Sequence, residues 1–271
     1  MKPTRKQIWT IAYPILISLL MENMIGLTDT AFLGRVGEVE LGASALGSVY
    51  YLVIFMLGFG FGIGAQILIA RRNGEKAYAL IGPLFQQGLL FLLSLATVMF
   101  VISHTFTPMV LRSLISSDEV YEAAVSYTNW RVFGFFFAFV AIMFRAFFVG
   151  ITNTKTLTLN SIVMVLSNVV LNYVLVFGKL GLPAMGIAGA AIASSASEMI
   201  SMVFFIVYTR LRIDHRKYGL FRFAGFSSKL LRGMLNVSVW TMIQMFVAIS
   251  TWFFFFIAVE HLGERPLAVT N

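Results

Sequence analysis

The sequence predicts an all-α integral membrane protein, a polytopic bundle of helices, and three observations carry that prediction. Of 271 residues, 59% are hydrophobic and 12% charged, with a mean hydropathy of +0.86, more apolar surface than a soluble core can hide. The apolar residues gather into seven segments, 8–33, 41–70, 80–103, 122–149, 156–177, 186–209 and 233–259, each long enough to cross a bilayer as a helix of about 20 residues. The charges between those segments alternate in sign. Ten-residue blocks of strand-type alternation, the mark of a membrane β-barrel, are absent. The first segment is too long, and too acidic at Glu22 and Asp29, for a cleaved signal peptide.

The charge pattern orients the spans. Lys2, Arg5 and Lys6 precede the first; Arg71, Arg72 and Lys76 follow the second; Lys155 follows the fourth. Arg210, Arg212, Arg216, Lys217, Arg222, Lys229 and Arg232 crowd the connection after the sixth. The intervening turns carry Glu38, Glu40, Asp118 and Glu119, with Arg35, Arg112 and Lys179 as isolated positives. Basic connections stay in the cytoplasm, so the N-terminus is expected there. Topology thus accounts for the net charge of +8, and no nucleic-acid partner is expected.

The spans differ in what they carry. The first holds Glu22 and Asp29, seven residues apart, hence two turns apart on one face and separated by about 10 Å. The second holds Gly58, Gly60, Gly62 and Gly64, two overlapping GxxxG spacings. No Lys-Ser/Thr follows them, so close helix contact is expected rather than a phosphate loop. The fourth holds Arg131 and Arg145; Arg145 is expected near the cytoplasmic end, where it can snorkel. The fifth holds Asn168 and Asn172 on one face, and the sixth a ridge of Gly186, Ala190 and Ser194. Glu198 in the sixth has no identifiable partner and is expected at a watery or interface position. The 14 Met and 27 Phe are expected to face lipid or pack, some of them lining an apolar pocket. His104, His215 and His261 fall in loops without metal spacing, and the chain has no cysteine. With no nucleophile–base pair or metalloprotease motif, an enzyme is not expected.

An ionised acid at bilayer depth costs about 2.5–3.5 kcal/mol on insertion scales and marks a functional position by default. Counted from the outer ends of their spans, Asp29, Asn168, Asn172 and Ser194 all lie in the outer half and can meet. A carboxylate beside amide and hydroxyl oxygens suits capture of H⁺ or Na⁺, since a hard cation prefers oxygen throughout. Glu22, deeper in the first span, either extends that path inward or accepts a hydrogen bond. The alternative for the asparagines is hydrogen bonding between helices alone.

A repeat aligns "VGEVELGA" (36–43) with "LGERPLAV" (262–269), placing Gly37 on Gly263 and Leu41 on Leu267. Repeated bundles are a common transporter construction. Spans one to six then form one lobe, residues 1–212, followed by a basic cytoplasmic connection, 213–232. Residues 233–271 hold the first helix of a second lobe, expected to lie outside the given sequence.

Several stretches, in order, resemble the multidrug and toxic compound extrusion (MATE) family. They are Pro14 with "DTAFLGRVG", then "GFGFGIGAQILIARRNGE", "WRVFGFFF", "RAFFVGITNTKT", "SNVVLNYVLVFG" and "GIAGAAIASSAS". The resemblance implies an N-terminal lobe plus one helix of a twelve-helix, two-lobed transporter of a bacterial inner membrane. It implies export of small organic, often cationic, compounds in exchange for H⁺ or Na⁺, with a missing C-terminal lobe as partner and no other cofactor. It also implies a cation site at Asp29, Asn168 and Asn172. Where the family often has prolines, this chain has Phe135–Phe136 and Leu157; where it has a Thr in the sixth span, Ser194; and where many members have Pro and Glu in the seventh, Trp240 and Ala248. Two alternatives stay open: a transport-incompetent half or interaction partner, and a flippase for lipid-linked oligosaccharide. The flippase should line its cavity with several Arg and Lys, which are almost absent from the spans.

Overall fold

The computed structural model describes residues 5–221 and 225–270; Lys2, Arg222 and Asn271 lie outside them. The order of elements is α1 (Arg5–Leu33), α2 (Glu38–Gly74), a 3₁₀ turn at Tyr78–Leu80, α3 (Ile81–Leu114), α4 (Asp118–Arg131), α5 (Gly134–Gly150), α6 (Lys155–Phe177), α7 (Gly186–Arg212), α8 (Ser228–Glu260) and α9 (Glu264–Thr270). Among the described residues, six helices are long and apolar enough to cross a membrane singly, and α4 with α5 makes a seventh, bent span. The protein is an all-α, multi-pass membrane bundle. One end gathers the basic connections and the other carries Glu38, Glu40, Asp118 and Glu119; these are called the basic and acidic ends below.

The glycines of α2 decide how the bundle is assembled. A Cβ built on Gly60 would lie 2.7 Å from Met242 Cα, and one on Gly64 would overlap Ser238, both on α8. A Cβ on Gly58 would meet the Phe139 ring at 2.7 Å, and one on Gly62 would overlap Ile142, both on α5. The two overlapping GxxxG spacings thus serve two different neighbours on opposite sides of one helix. Without a hydrophobic drive between helices in lipid, such close approach is a main source of association. Ser238 Oγ, seated in the Gly64 notch, donates to Met234 O at 2.8 Å. Helix α8 therefore packs along α2 rather than standing apart from the first six spans.

The connections are shorter than the sequence predicts. Helix α3 runs on to Leu114, which places His104 and Arg112 inside a helix and not in a loop. Helix α8 begins at Ser228, with Ser227 Oγ accepting from Leu230 N at 3.4 Å, so the basic connection spans 213–227. That connection is tucked under α3: Leu220 is buried, and Gln87 Nε2 donates to Gly225 O at 2.7 Å. At the acidic end, Ser117 caps α4, whose first turn carries Asp118 and Glu119, where acids complement the helix dipole. The buried Glu260 of α8 adds to that cap, accepting from Ser116 N at 3.0 Å and Ser117 N at 3.1 Å. Helices α2 and α9 start at Glu38 and Glu264, one residue past the aligned Gly37 and Gly263.

The predicted fourth span, 122–149, is not one helix. It breaks at Val132–Phe133 and turns by 49°, with no proline present. Ser195 Oγ of α7 reaches Trp130 O and Arg131 O, both at 3.3 Å, carbonyls that would otherwise serve the continuing helix. A side chain inserted into the ladder is a recognised cause of a kink. Gly134, just past the break, leaves room for an ion pair, since a Cβ there would collide with Arg131 and the Glu198 carboxylate.

Gly60→Leu, which forces α8 off α2, is expected to lower the unfolding midpoint in detergent by roughly 3–10 °C, the scale of core overpacking in a chain of this size. Gly74→Ala, with nothing within 4 Å of the new carbon, is the control and should leave the midpoint in place. Equal effects would show that α2 and α8 do not depend on this contact.

Candidate cation site

Three helices bring the site together. Asp29 lies one turn from the acidic end of α1; Asn168 and Asn172 share the inward face of α6; Ser194 sits two turns into α7. The backbone pairing of α6 with α7 is close because Gly189 lies against Leu175 O, where no Cβ would fit. Asn172 Nδ2 donates to Asp29 Oδ1 at 2.7 Å, Asn168 Nδ2 to the same oxygen at 3.3 Å, and Ser194 Oγ to Asp29 Oδ2 at 2.6 Å. Asn168 Nδ2 also reaches Ser194 Oγ at 3.2 Å. Both asparagines are fully buried and Ser194 nearly so, while Asp29 is half-buried and opens onto a cavity.

Two features define what this cluster can do. None of the ion pairs among the described residues includes Asp29. In addition, Asn168 Oδ1 and Asn172 Oδ1 are buried without a hydrogen-bond partner, an uncommon state for buried oxygens. A half-turn of either amide exchanges its donor for its acceptor. The cluster can then offer one carboxylate and two or three neutral oxygens, a donor set that fits a proton or a hard monovalent cation. Among the described residues there is no cluster of three or more His, Cys, Asp or Glu for a polyvalent metal.

Glu22 does not join this cluster. It lies two turns deeper, where Arg145 Nη1 donates to its Oε1 at 2.5 Å and Ser18 Oγ at 3.1 Å. Arg145 accordingly does not snorkel to the basic end: its side chain is 15% exposed and turned inward. Glu198 likewise has partners that sequence reasoning did not find. Arg131 donates from Nη1 to Oε2 at 2.9 Å and from Nη2 to Oε1 at 2.6 Å, and Tyr51 OH adds a bond of 2.9 Å. The Arg131 guanidinium also lies 3.5 Å over the Tyr51 ring. Both members of the pair are about nine-tenths buried, at 11% and 8% exposure. Depth was the available signal: Arg131 and Glu198 are each some twelve residues from the acidic end of their spans.

All three acids and both arginines line a cavity of about 520 Å³ between α1, α2, α4, α5, α6 and α7. Its remaining wall is largely apolar and includes Phe55, Met56, Phe59 and Met164. Asn160, also on this wall, donates to Ser201 Oγ at 2.8 Å and leaves its Oδ1 without a partner.

The model of the MatE family matches residues 14–174, more than half of the chain and all of the first five spans but their ends. The chain belongs to the MatE family. Among curated MatE relatives, it is 26% identical over 217 residues to "Probable multidrug resistance protein NorM" of Mannheimia succiniciproducens, covering 80% of this chain and 46% of that one. To the protein of the same name from Synechocystis it is 29% identical over 223 residues, 82% of this chain and 48% of the other. It thus spans about half the length of these relatives. Its fold is similar to the outward-facing conformation of a multidrug resistance MATE family transporter of the MOP superfamily, with a TM-score of 0.81 at 21% identity over 90% of this chain and 56% of that one. The inward-facing conformation gives 0.80 at 20% identity, over 94% and 59%.

The Arg131–Glu198 pair generates a stability prediction. Glu198→Ala strands a buried guanidinium and should cost about 3–5 kcal/mol, whereas the double change Arg131→Met with Glu198→Leu should recover most of that loss. Chemical unfolding of the two variants in detergent measures both. A single variant as stable as the parent would mean the pair does not hold the bent span to α7.

Proposed function

We propose that the chain supplies the N-terminal six-helix lobe, residues 1–212, and the first helix of a second lobe, within 228–271, of a cation-coupled exporter of organic compounds, with its N-terminus in the cytoplasm. One observation carries this reading: of the three carboxylates on the cavity wall, Asp29 has only neutral partners, while Glu22 and Glu198 are each held by an arginine. A carboxylate matched by a fixed guanidinium has no need of a mobile cation. Asp29 does. The names of the relatives and the fold they share support the transport reading.

In the proposed cycle, ionised Asp29 accepts from Asn168, Asn172 and Ser194, as seen here. Uptake of H⁺ or Na⁺ removes the charge that orders these donors. The amides turn, and their oxygens, now without partners, complete the shell of the cation or accept from the protonated carboxyl. Helix α1 feels the change most, since it is among the least buried spans. Its other polar ties include Thr158 Oγ1 donating to Pro14 O at 3.0 Å, a bond of 2.9 Å between Ser18 and Ser161, and the contact of Glu22 with Arg145. Cation occupancy thereby biases how α1 sits on α6 and α7, which is the coupling that alternating access requires.

Substrates enter the same cavity. Its apolar wall suits organic compounds, and three acids against two bases favour a positive charge on them. Both arginines face the cavity, but each is neutralised by a carboxylate, so the net positive pocket that a flippase for pyrophosphate-linked sugars needs is not formed.

The test is export from proteoliposomes under separately imposed H⁺ and Na⁺ gradients, using the protein paired with a second lobe. Asp29→Asn keeps the shape and removes the charge; it should fold normally, and its export should fall to the rate of passive leak. Asn172→Leu deletes one neutral ligand and should weaken cation dependence less. Unchanged ion dependence in Asp29→Asn would make the acid structural and end this reading.

A further inference from the structure

The two guanidiniums of the cavity are used differently. Arg131 grips both oxygens of Glu198 and lies 3.5 Å over the Tyr51 ring. Arg145 makes a single hydrogen bond, from Nη1 to Glu22 Oε1, and its other guanidinium donors have no hydrogen-bond partner among the described residues. Phe59, with its ring 5.6 Å from the guanidinium, is the aromatic neighbour. Glu22 is equally one-sided. Arg145, Ser18 and Ser161 all address its Oε1 and none addresses Oε2.

Geometry makes this single-point contact replaceable. Glu22 is 35% exposed on the cavity, and the bond reaches from α1 to α5, helices that otherwise barely touch. A carboxylate arriving from the cavity can meet the Arg145 fork with both oxygens, and such bidentate pairing is stronger and more directional than one N–H···O contact. Glu22 then retains Ser18 and Ser161. Seven residues toward the acidic end, about 10 Å along α1, stands Asp29 without an ion pair. The same cavity carries the apolar side chains of Phe55, Met56 and Met164.

We propose that Arg145 is a specificity-determining residue of this cavity: it receives the carboxylate of an organic zwitterion, in exchange for Glu22, while the ligand's ammonium group points to Asp29. This rests on the cavity being the substrate pocket. The favoured ligand carries its two charges at opposite ends of an apolar frame. Esterifying the acid removes the group that Arg145 reads and leaves the cationic end intact.

The experiment measures calorimetric binding to residues 1–271 in lipid nanodiscs of an aryl amino acid with its nitrogen and carboxyl at opposite ends of the ring, and of its methyl ester. The acid is expected to bind about tenfold more tightly than the ester, the low end for a charge-assisted pair. Arg145→Gln combined with Glu22→Gln, which leaves no unpaired charge, should bring acid and ester within about twofold of each other. Arg145→Lys, a point charge without the fork, should give an intermediate ratio. Asp29→Asn should weaken acid and ester by the same factor and preserve their ratio, so failure here is distinguishable from failure of cation coupling at Asp29. No binding of the acid, equal binding of acid and ester to the unaltered chain, or a ratio that survives in the double variant would overturn the proposal.

Discussion

Ionised groups at bilayer depth must be matched, and the way each acid of this bundle is matched fixes which helices are joined. Glu198 takes the guanidinium of Arg131 and the hydroxyl of Tyr51, which ties α7 to the bend of the fourth span and to α2. Glu22 takes Arg145 and bridges α1 to α5 across the cavity. Glu260 takes two backbone N–H groups at the start of α4 and anchors the far end of α8. Asp29 alone is left to amides and a hydroxyl, joining α1 to α6 and α7 through bonds that depend on its charge. Ion pairs thus hold the cavity walls, and the one cavity carboxylate with only neutral partners sits on α1, among the least buried of the spans.

Close packing does the complementary work. In α2 the two overlapping glycine spacings let α5 approach on one side and α8 on the other, so a single helix serves as the strut for both. The bend in the fourth span has a similar logic. Ser195 diverts two carbonyls, Gly134 clears the space, and the break brings Arg131 to the depth of Glu198. Without the bend the pair could not close in this form, and without the pair the bend would leave a guanidinium unmatched in an apolar wall.

Much of this was legible in the sequence because membrane burial leaves strong local marks. Seven apolar segments predict the spans, and the spacing of Asp29, Asn168, Asn172 and Ser194 from their helix ends predicts that they can meet; the coordinates bring those four together. What escaped depends on direction rather than position. Arg145 lies close enough to the basic end to snorkel by composition alone, and only the coordinates show it turned inward to Glu22. Glu198 lacked a partner because pairing across helices requires the rotation of each helix, which a hydropathy pattern does not give. The broken fourth span escaped because its cause is a serine on another helix, not a proline of its own.

The central claim is that Asp29 exchanges a mobile cation, while the other cavity acids are each matched by an arginine. Infrared difference spectroscopy of the chain in lipid tests it most directly, since a protonated carboxyl has its own C=O band. The account expects a band that is absent from Asp29→Asn and fades as alkali is added over a titration run from acid to alkali. If Na⁺ is the coupling ion, added Na⁺ at constant pH should shift that titration. An Asp29 signal indifferent to both H⁺ and Na⁺ across that range would contradict the account.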